Sequence, residues 1–338
     1  MKLGVKNIAI VAPSSVVARN ELKMGLETLK QAGFIPKVYG GVLKKHLYYA
    51  GDTATRLKDF LDAAYDPTID VVWAARGGYG AIQLLPLLAK ETEKRGLPPH
   101  KLYIGYSDST ALLEFTRTRW NWSTLHAVMP GHRGLLYAQP RELRVLYSWI
   151  RGMPTPPAWI GRKLKWLGEK PRNLISGEMT GGNLCLVNDM VGTEFSLNAK
   201  GKIVFLEDLS ETAARLDRMV HHLIHAKFFE GVKAVVLGSF TDCVDKVPGA
   251  LKYIKDPKKR AMIAKSPRPM NLEKLRPQVK DKDLIAAIFS VLTEEFKIPV
   301  AQGLPCGHGG DNAPLPMGAK YDLSPDGDLA MRSWSWIR

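Results

Sequence analysis

The chain has 338 residues, 45% of them hydrophobic and 24% charged, with a formal net charge of +15. That length is ample for two domains with a large buried core, and its apolar runs fall far short of the roughly 20 residues that span a bilayer. The three cysteines, Cys185, Cys243 and Cys306, are odd in number and scattered, which speaks against a disulfide framework or zinc-ligand spacing and for a reducing, cytoplasmic setting.

Met1–Lys6 leads directly into Asn7-Ile8-Ala9-Ile10-Val11-Ala12. This apolar stretch is short and lacks a small-residue cleavage site, so a first strand over Ile8–Ala12 is expected, not a signal peptide. A helix over Arg19–Gln31 stops at Gly33, and Ile35–Tyr39 reads as a second strand. Thr53–Ala64 is helical in pattern, Ile69–Ala75 a buried strand, and Ala81–Lys90 a further helix. The apolar run ending at Ser107 then passes into a helix over Asp108–Trp120. Short apolar strands separated by helices predict an α/β domain with a parallel sheet covered on both faces.

From Arg151 the texture changes: Met153-Pro154-Thr155-Pro156-Pro157 and Glu169-Lys170-Pro171-Arg172 bracket a basic, Trp-containing stretch. A linker over 151–175 is therefore expected between a domain at 1–150 and another at 176–338. Lys202–Leu206 and Ala234–Leu237 read as strands with a helix, Ala213–Ala226, between them. Between Val244 and Lys282 there are 12 Lys/Arg against 4 Asp/Glu. Over half of the net charge thus sits in one segment, interrupted by five prolines, which predicts an irregular basic insertion. Its aromatics are not interleaved with its charges and no recognised motif is present, so no nucleic-acid partner is expected.

Three local sequences carry chemistry, all at expected strand ends. Gly105-Tyr106-Ser107-Asp108 has the strand–turn–helix context of a nucleophile elbow, although Ser109 stands where a second glycine is usual; Ser107 could equally cap the following helix. Leu206-Glu207-Asp208 puts carboxylates just beyond a buried strand, with Asp208 a rival to Glu207. Gly307-His308-Gly309-Gly310 exposes a histidine on a glycine loop. Together they supply nucleophile, acid and base in the order Ser…Glu…His, the requirements of a catalytic triad. Arg76-Gly77-Gly78-Tyr79-Gly80 lies between a strand and a helix; it could bind an anion, form an oxyanion hole beside Ser107, or be a plain tight turn. His126 and His132 could line the same site, whereas His221 and His225 have metal-ligand spacing but no zinc motif, so no metal or cofactor is expected.

These segments, together with Val11-Ala12-Pro13-Ser14-Ser15, Gly181-Gly182-Asn183-Leu184 and Leu315-Pro316-Met317-Gly318, occur in an order that resembles the LD-carboxypeptidase family of serine peptidases. That family includes murein tetrapeptide carboxypeptidases and microcin-C immunity hydrolases. The resemblance spans nearly the whole chain and implies a flavodoxin-like N-terminal domain with a smaller C-terminal α/β domain, commonly as a homodimer. It implies Ser107 as nucleophile, His308 as base, Glu207 as its orienting carboxylate, and the N–H groups of Gly78 and Asp108 as the oxyanion hole. The expected substrate is a peptidoglycan-derived tetrapeptide losing its terminal D-alanine, with Arg76 a candidate for its carboxylate and no membrane partner. The alternatives are a microcin-immunity-like hydrolase of a nucleotide-linked amide and a non-catalytic cell-wall-binding protein. The basic stretch before Ile298-Pro299-Val300 is expanded relative to the family pattern, without touching the triad.

Overall fold

The computed structural model describes residues 6–243 and 281–337, so nearly all of the basic segment at 244–282 lies outside the described residues. In the first part, strands β1 (Asn7–Val11), β2 (Ile35–Val38), β3 (Val71–Ala74), β4 (Leu102–Gly105) and β5 (Ser123–His126) alternate with helices α1 (Arg19–Gln31), α2 (Thr53–Tyr65), α3 (Leu85–Arg95) and α4 (Thr110–Trp120). The strands pair in parallel in the order β2-β1-β3-β4-β5, the flavodoxin-like winding. β1, β3 and β4 are apolar and buried almost throughout, because helices cover both faces of a parallel sheet.

Two expected helices begin later than the apolar pattern suggests. Ala81–Leu84 forms a 3-10 turn, and α3 starts only at Leu85, with Pro86 in its first turn. Proline has no N–H to donate and so suits a helix start better than its interior. Likewise Ser107–Ser109 is a 3-10 turn and α4 starts at Thr110.

After α5 (Arg133–Tyr137) and α6 (Pro140–Ile150) comes a second sheet. It is built from β6 (Lys165–Leu167), β7 (Ile175–Asn183), β8 (Ile203–Leu209), β9 (Ala234–Thr241) and β10 (Val300–Gln302), with α7 (Leu184–Met190), α8 (Ala213–His225) and α9 (Asp281–Glu294) between them. Then follow β11 (Leu315–Met317), β12 (Lys320–Leu323) and β13 (Leu329–Ser333). The second sheet runs β13-β12-β7-β8-β9-β10-β6, parallel from β7 to β10. The 151–175 stretch is more than a connection: β6 within it pairs antiparallel with β10. β11, in turn, leaves the second sheet and pairs antiparallel with β5 at the edge of the first.

The two sheets meet along α4 and β7. The Asn183 N–H donates to Thr110 Oγ1 at 3.1 Å, and the Gly318 N–H donates to Met179 O at 2.8 Å. Arg117 on α4 bridges Glu114 (2.6 Å) and Glu178 on β7 (2.5 Å), with Arg117 and Glu114 largely out of water. Removing one member of a buried ion cluster strands the others without a partner. Arg117→Met is therefore expected to cost about 3 kcal/mol by leaving Glu114 uncompensated, read as a lowered midpoint in denaturant unfolding. An unchanged midpoint would show that this junction does not depend on the cluster.

Candidate active site

Chain at or just beyond the carboxyl ends of β4, β5, β8 and β10 lines one cavity. At the end of β4, Ser107 has φ 62, a left-handed conformation that an L-residue adopts only when its surroundings enforce it. The enforcement is local. A Cβ on Gly105 would come within 2.7 Å of Ser109 Cβ, so the bare Gly105 makes room for Ser109, whose Oγ accepts from Tyr103 OH at 3.3 Å. That exchange of space explains how serine can stand where the usual elbow has its second glycine.

The Arg76–Gly80 loop lies against this turn. A Cβ on Gly77 would sit 2.9 Å from Ser107 Cβ and 3.1 Å from its Oγ, and one on Gly78 (φ 110) would sit 2.2 Å from Ser15 Oγ. No side chain fits at either position. The loop is pinned by Tyr79 N–H to Ser15 Oγ (3.1 Å), Ser15 N–H to Gly77 O (3.2 Å) and Ala81 N–H to Asp108 Oδ2 (2.9 Å). Buried Arg56 donates to Pro13 O, Gly80 O and Gln83 Oε1, tying the ends of β1 and β3 together. Arg76 donates to Val16 O at 3.0 Å and, among the described residues, forms no ion pair.

Glu207, at the end of β8, is fully buried, and its Oε2 accepts from His308 Nδ1 at 2.7 Å and from the His308 backbone N–H at 3.2 Å. Burial pushes the Glu207 carboxyl up, but the facing imidazoles of His308 and His126 outweigh it and hold it well below the usual carboxylate range. Conversely, burial lowers the His308 pKa and Glu207 more than restores it, so the imidazole is a stronger base than an ordinary histidine. Asp208 points elsewhere: it accepts from Asn183 Nδ2, Leu209 N–H and Cys185 N–H at the start of α7. Burial and the neighbouring Glu207 raise its pKa to about 6.

The His308 loop is as constrained as the elbow. A Cβ on Gly307 (φ 112) would fall 2.6 Å from both Glu207 Oε2 and Ser239 Oγ. Asn312 Oδ1 accepts from Gly307 N–H, and Ser239 Oγ from Gly309 N–H. The His308 ring packs on Tyr106, the residue before Ser107, with centroids 4.8 Å apart. A cavity of about 280 Å³ opens beside it, lined by Tyr106, His132, Tyr137, Glu142, His308 and Asn312 among others. Sequence reasoning missed Arg56, Ser239 and Asn312, which hold loops and bear no motif of their own, and gave Ser15 no role beyond its place in Val11-Ala12-Pro13-Ser14-Ser15. His221 and His225 lie side by side on α8 with ring centroids 6.2 Å apart, and among the described residues no three His, Cys, Asp or Glu side chains are grouped to hold a metal.

The sequence models of the LD-carboxypeptidase N-terminal and C-terminal domains match residues 8–127 and 176–323. The chain belongs to the LD-carboxypeptidase family. Among LD-carboxypeptidase relatives, the murein tetrapeptide carboxypeptidase of Pseudomonas aeruginosa is 30% identical over 92% of this chain and 91% of its own length. A Rickettsia conorii protein with a provisional carboxypeptidase name is 32% identical over 62% of this chain, which spans just under two thirds (65%) of that protein. The crystal structure of muramoyltetrapeptide carboxypeptidase from Oxalobacter formigenes superposes with a TM-score of 0.71 at 25% identity, covering 96% of this chain and 98% of that one. Both LD-carboxypeptidase domain models cover segments that line the cavity, Tyr106 in the first and His308 in the second; the first also spans Ser107 and the second Glu207.

Proposed function

We propose that this chain is a serine LD-carboxypeptidase that removes the terminal D-alanine from murein tetrapeptides, with Ser107 as nucleophile, His308 as general base and Glu207 as the carboxylate that orients it. The observation that carries this reading is the 2.7 Å contact between His308 Nδ1 and Glu207 Oε2, with the His308 ring packed on Tyr106, the residue before Ser107, whose φ is 62. Nδ1–H donation to the carboxylate leaves Nε2 as the unprotonated nitrogen that takes the hydroxyl proton. Ser107 Oγ attacks the carbonyl carbon, and the Gly78 and Asp108 N–H groups receive the developing oxyanion. His308 then protonates the departing amine of D-alanine, and a water activated by the same nitrogen releases the acyl group and regenerates Ser107.

The substrate follows from the company the chain keeps, since its Pseudomonas and Oxalobacter relatives are named for murein tetrapeptides. Arg76 is the cation assigned to the substrate's terminal carboxylate, because its guanidinium has no acid partner among the described residues. The protein is read as a cytoplasmic homodimer; among the described residues no helix is long and apolar enough to cross a membrane.

Incubation with purified muropeptides followed by mass spectrometry tests the reading, which expects loss of D-alanine from the tetrapeptide. Because Ser107, His308 and backbone N–H groups supply the nucleophile, the base and the oxyanion donors, turnover is expected to survive EDTA. Activity abolished by chelation and restored by zinc would overturn the mechanism. An untouched tetrapeptide, with cleavage of an aminoacyl-nucleotide amide instead, would move the protein to the microcin-immunity branch.

A further inference from the structure

His126, the last residue of β5, is fully buried, and neither of its ring nitrogens has a hydrogen-bond partner among the described residues. Two orphaned polar atoms in a core cost about 1–3 kcal/mol each, so the position is held for a reason other than packing. The ring is boxed edge-to-face by Tyr106 (centroids 5.6 Å) and Phe205 (5.2 Å). Its Nε2 lies 3.8 Å from Glu207 Oε1, the oxygen that His308 does not use. That oxygen is itself poorly served: its other contact is Asn183 Nδ2 at 3.5 Å. A donor without an acceptor thus faces an acceptor without a good donor, across a gap that closes with a movement of under about 1 Å, as apo catalytic sites commonly require.

We propose that His126 is a positioning residue that donates from Nε2 to Glu207 Oε1, so that one carboxylate is shared between two imidazoles and the basicity of His308 is tempered. This rests on the serine-peptidase reading for its catalytic meaning, though not for its geometry. The sign follows from where the charge sits. When His308 is neutral, the Glu207 charge is unbalanced and a donor on Oε1 stabilises it most; when His308 is protonated, that donor matters less. His126 therefore favours neutral His308, the form that can accept the Ser107 proton. The other ionisable groups facing the cluster are Asp208 on β8, Tyr106 after β4, His132 after β5, Arg76 after β3, Cys243 after β9 and Cys306 after β10. Tyr106 packs on His126 and loses that ring in both variants alike, so the difference between the two variants isolates this contact.

The test uses two amides that differ in where they put an N–H. His126→Gln carries one near the Nε2 position and His126→Asn near the Nδ1 position. Imidazole NMR titration of the full-length protein, with the His308 signal assigned by its loss in His308→Ala, should give a near-native His308 pKa in His126→Gln. In His126→Asn it should rise by about 0.5–1 unit. The acidic limb of kcat/KM for tetrapeptide should move up by the same amount in His126→Asn, with KM changed by less than about twofold. Equal titration of His308 in the two variants, or a downward shift in His126→Asn, would overturn the proposal even if both proteins were equally destabilised. Because the titration needs no turnover, failure of the tetrapeptide reaction would count against the enzymatic reading and leave the shift to judge His126.

Discussion

Replacing Ser107 with alanine is expected to lower kcat for tetrapeptide hydrolysis by about 10⁶ while leaving the protein folded, since removing one member of a cooperating triad costs nearly as much as removing all. The side chain lies at a turn whose shape is enforced by Gly105, Ser109 and the Arg76–Gly80 loop, none of which needs the hydroxyl. Alanine at φ 62 carries the same left-handed strain that serine already bears. Thermal unfolding should therefore move little. Adding His308→Ala to Ser107→Ala should cost almost nothing more. A Ser107→Ala protein within tenfold of the native rate would eliminate the serine mechanism.

Glu207→Gln should be nearly as damaging, by about 10⁴ in kcat, because an amide facing Nδ1 disturbs the tautomer and gives up the charge that supports the imidazolium. The pH profile carries a second signature. His308 is a stronger base than usual because Glu207, with a smaller contribution from Asp208, outweighs the effect of burial, which alone would lower its pKa. In the amide variant that support is gone and desolvation remains. Its residual kcat/KM should therefore have an acidic limb displaced to lower pH, opposite in direction to His126→Asn. A limb that stays in place would mean that another group governs the profile.

β1, β3 and β4 are legible because each is a short apolar run, and α1 because Leu22, Gly25 and Leu29 recur on one face; β5, Ser123-Thr124-Leu125-His126, has no such run and was not anticipated. Ser107 and Glu207 stand out as polar groups at the ends of buried strands, and His308 as a histidine on the glycine loop beyond β10. What the pattern could not resolve was direction: adjacent strand residues point to opposite faces, so Glu207 and Asp208 were equivalent candidates until the register of β8 put one beside His308 and the other beside α7. Arg56 was illegible for a different reason. An arginine in an amphipathic helix reads as a solvated face, and only the fold shows it buried over the Tyr49 ring, with its guanidinium on Pro13 O and Gly80 O. β6 and β11 are three residues each and lie in stretches rich in proline and glycine, so their pairing is fixed by sheet edges far away in sequence.

β11 sets a clock on the site. The loop bearing His308 runs from β10 in one sheet to β11 in the other, and Met317 O accepts from Thr124 Oγ1 across 193 residues of chain. Pairing so distant closes slowly and only after both partners exist. On a ribosome, β4 and its neighbours emerge long before Leu315–Met317 does, so a nascent or truncated polypeptide can present Ser107 before the loop bearing His308 is anchored at its far end. Fragments that end before β11 should be inert toward the wall peptides that the finished protein is read to cut.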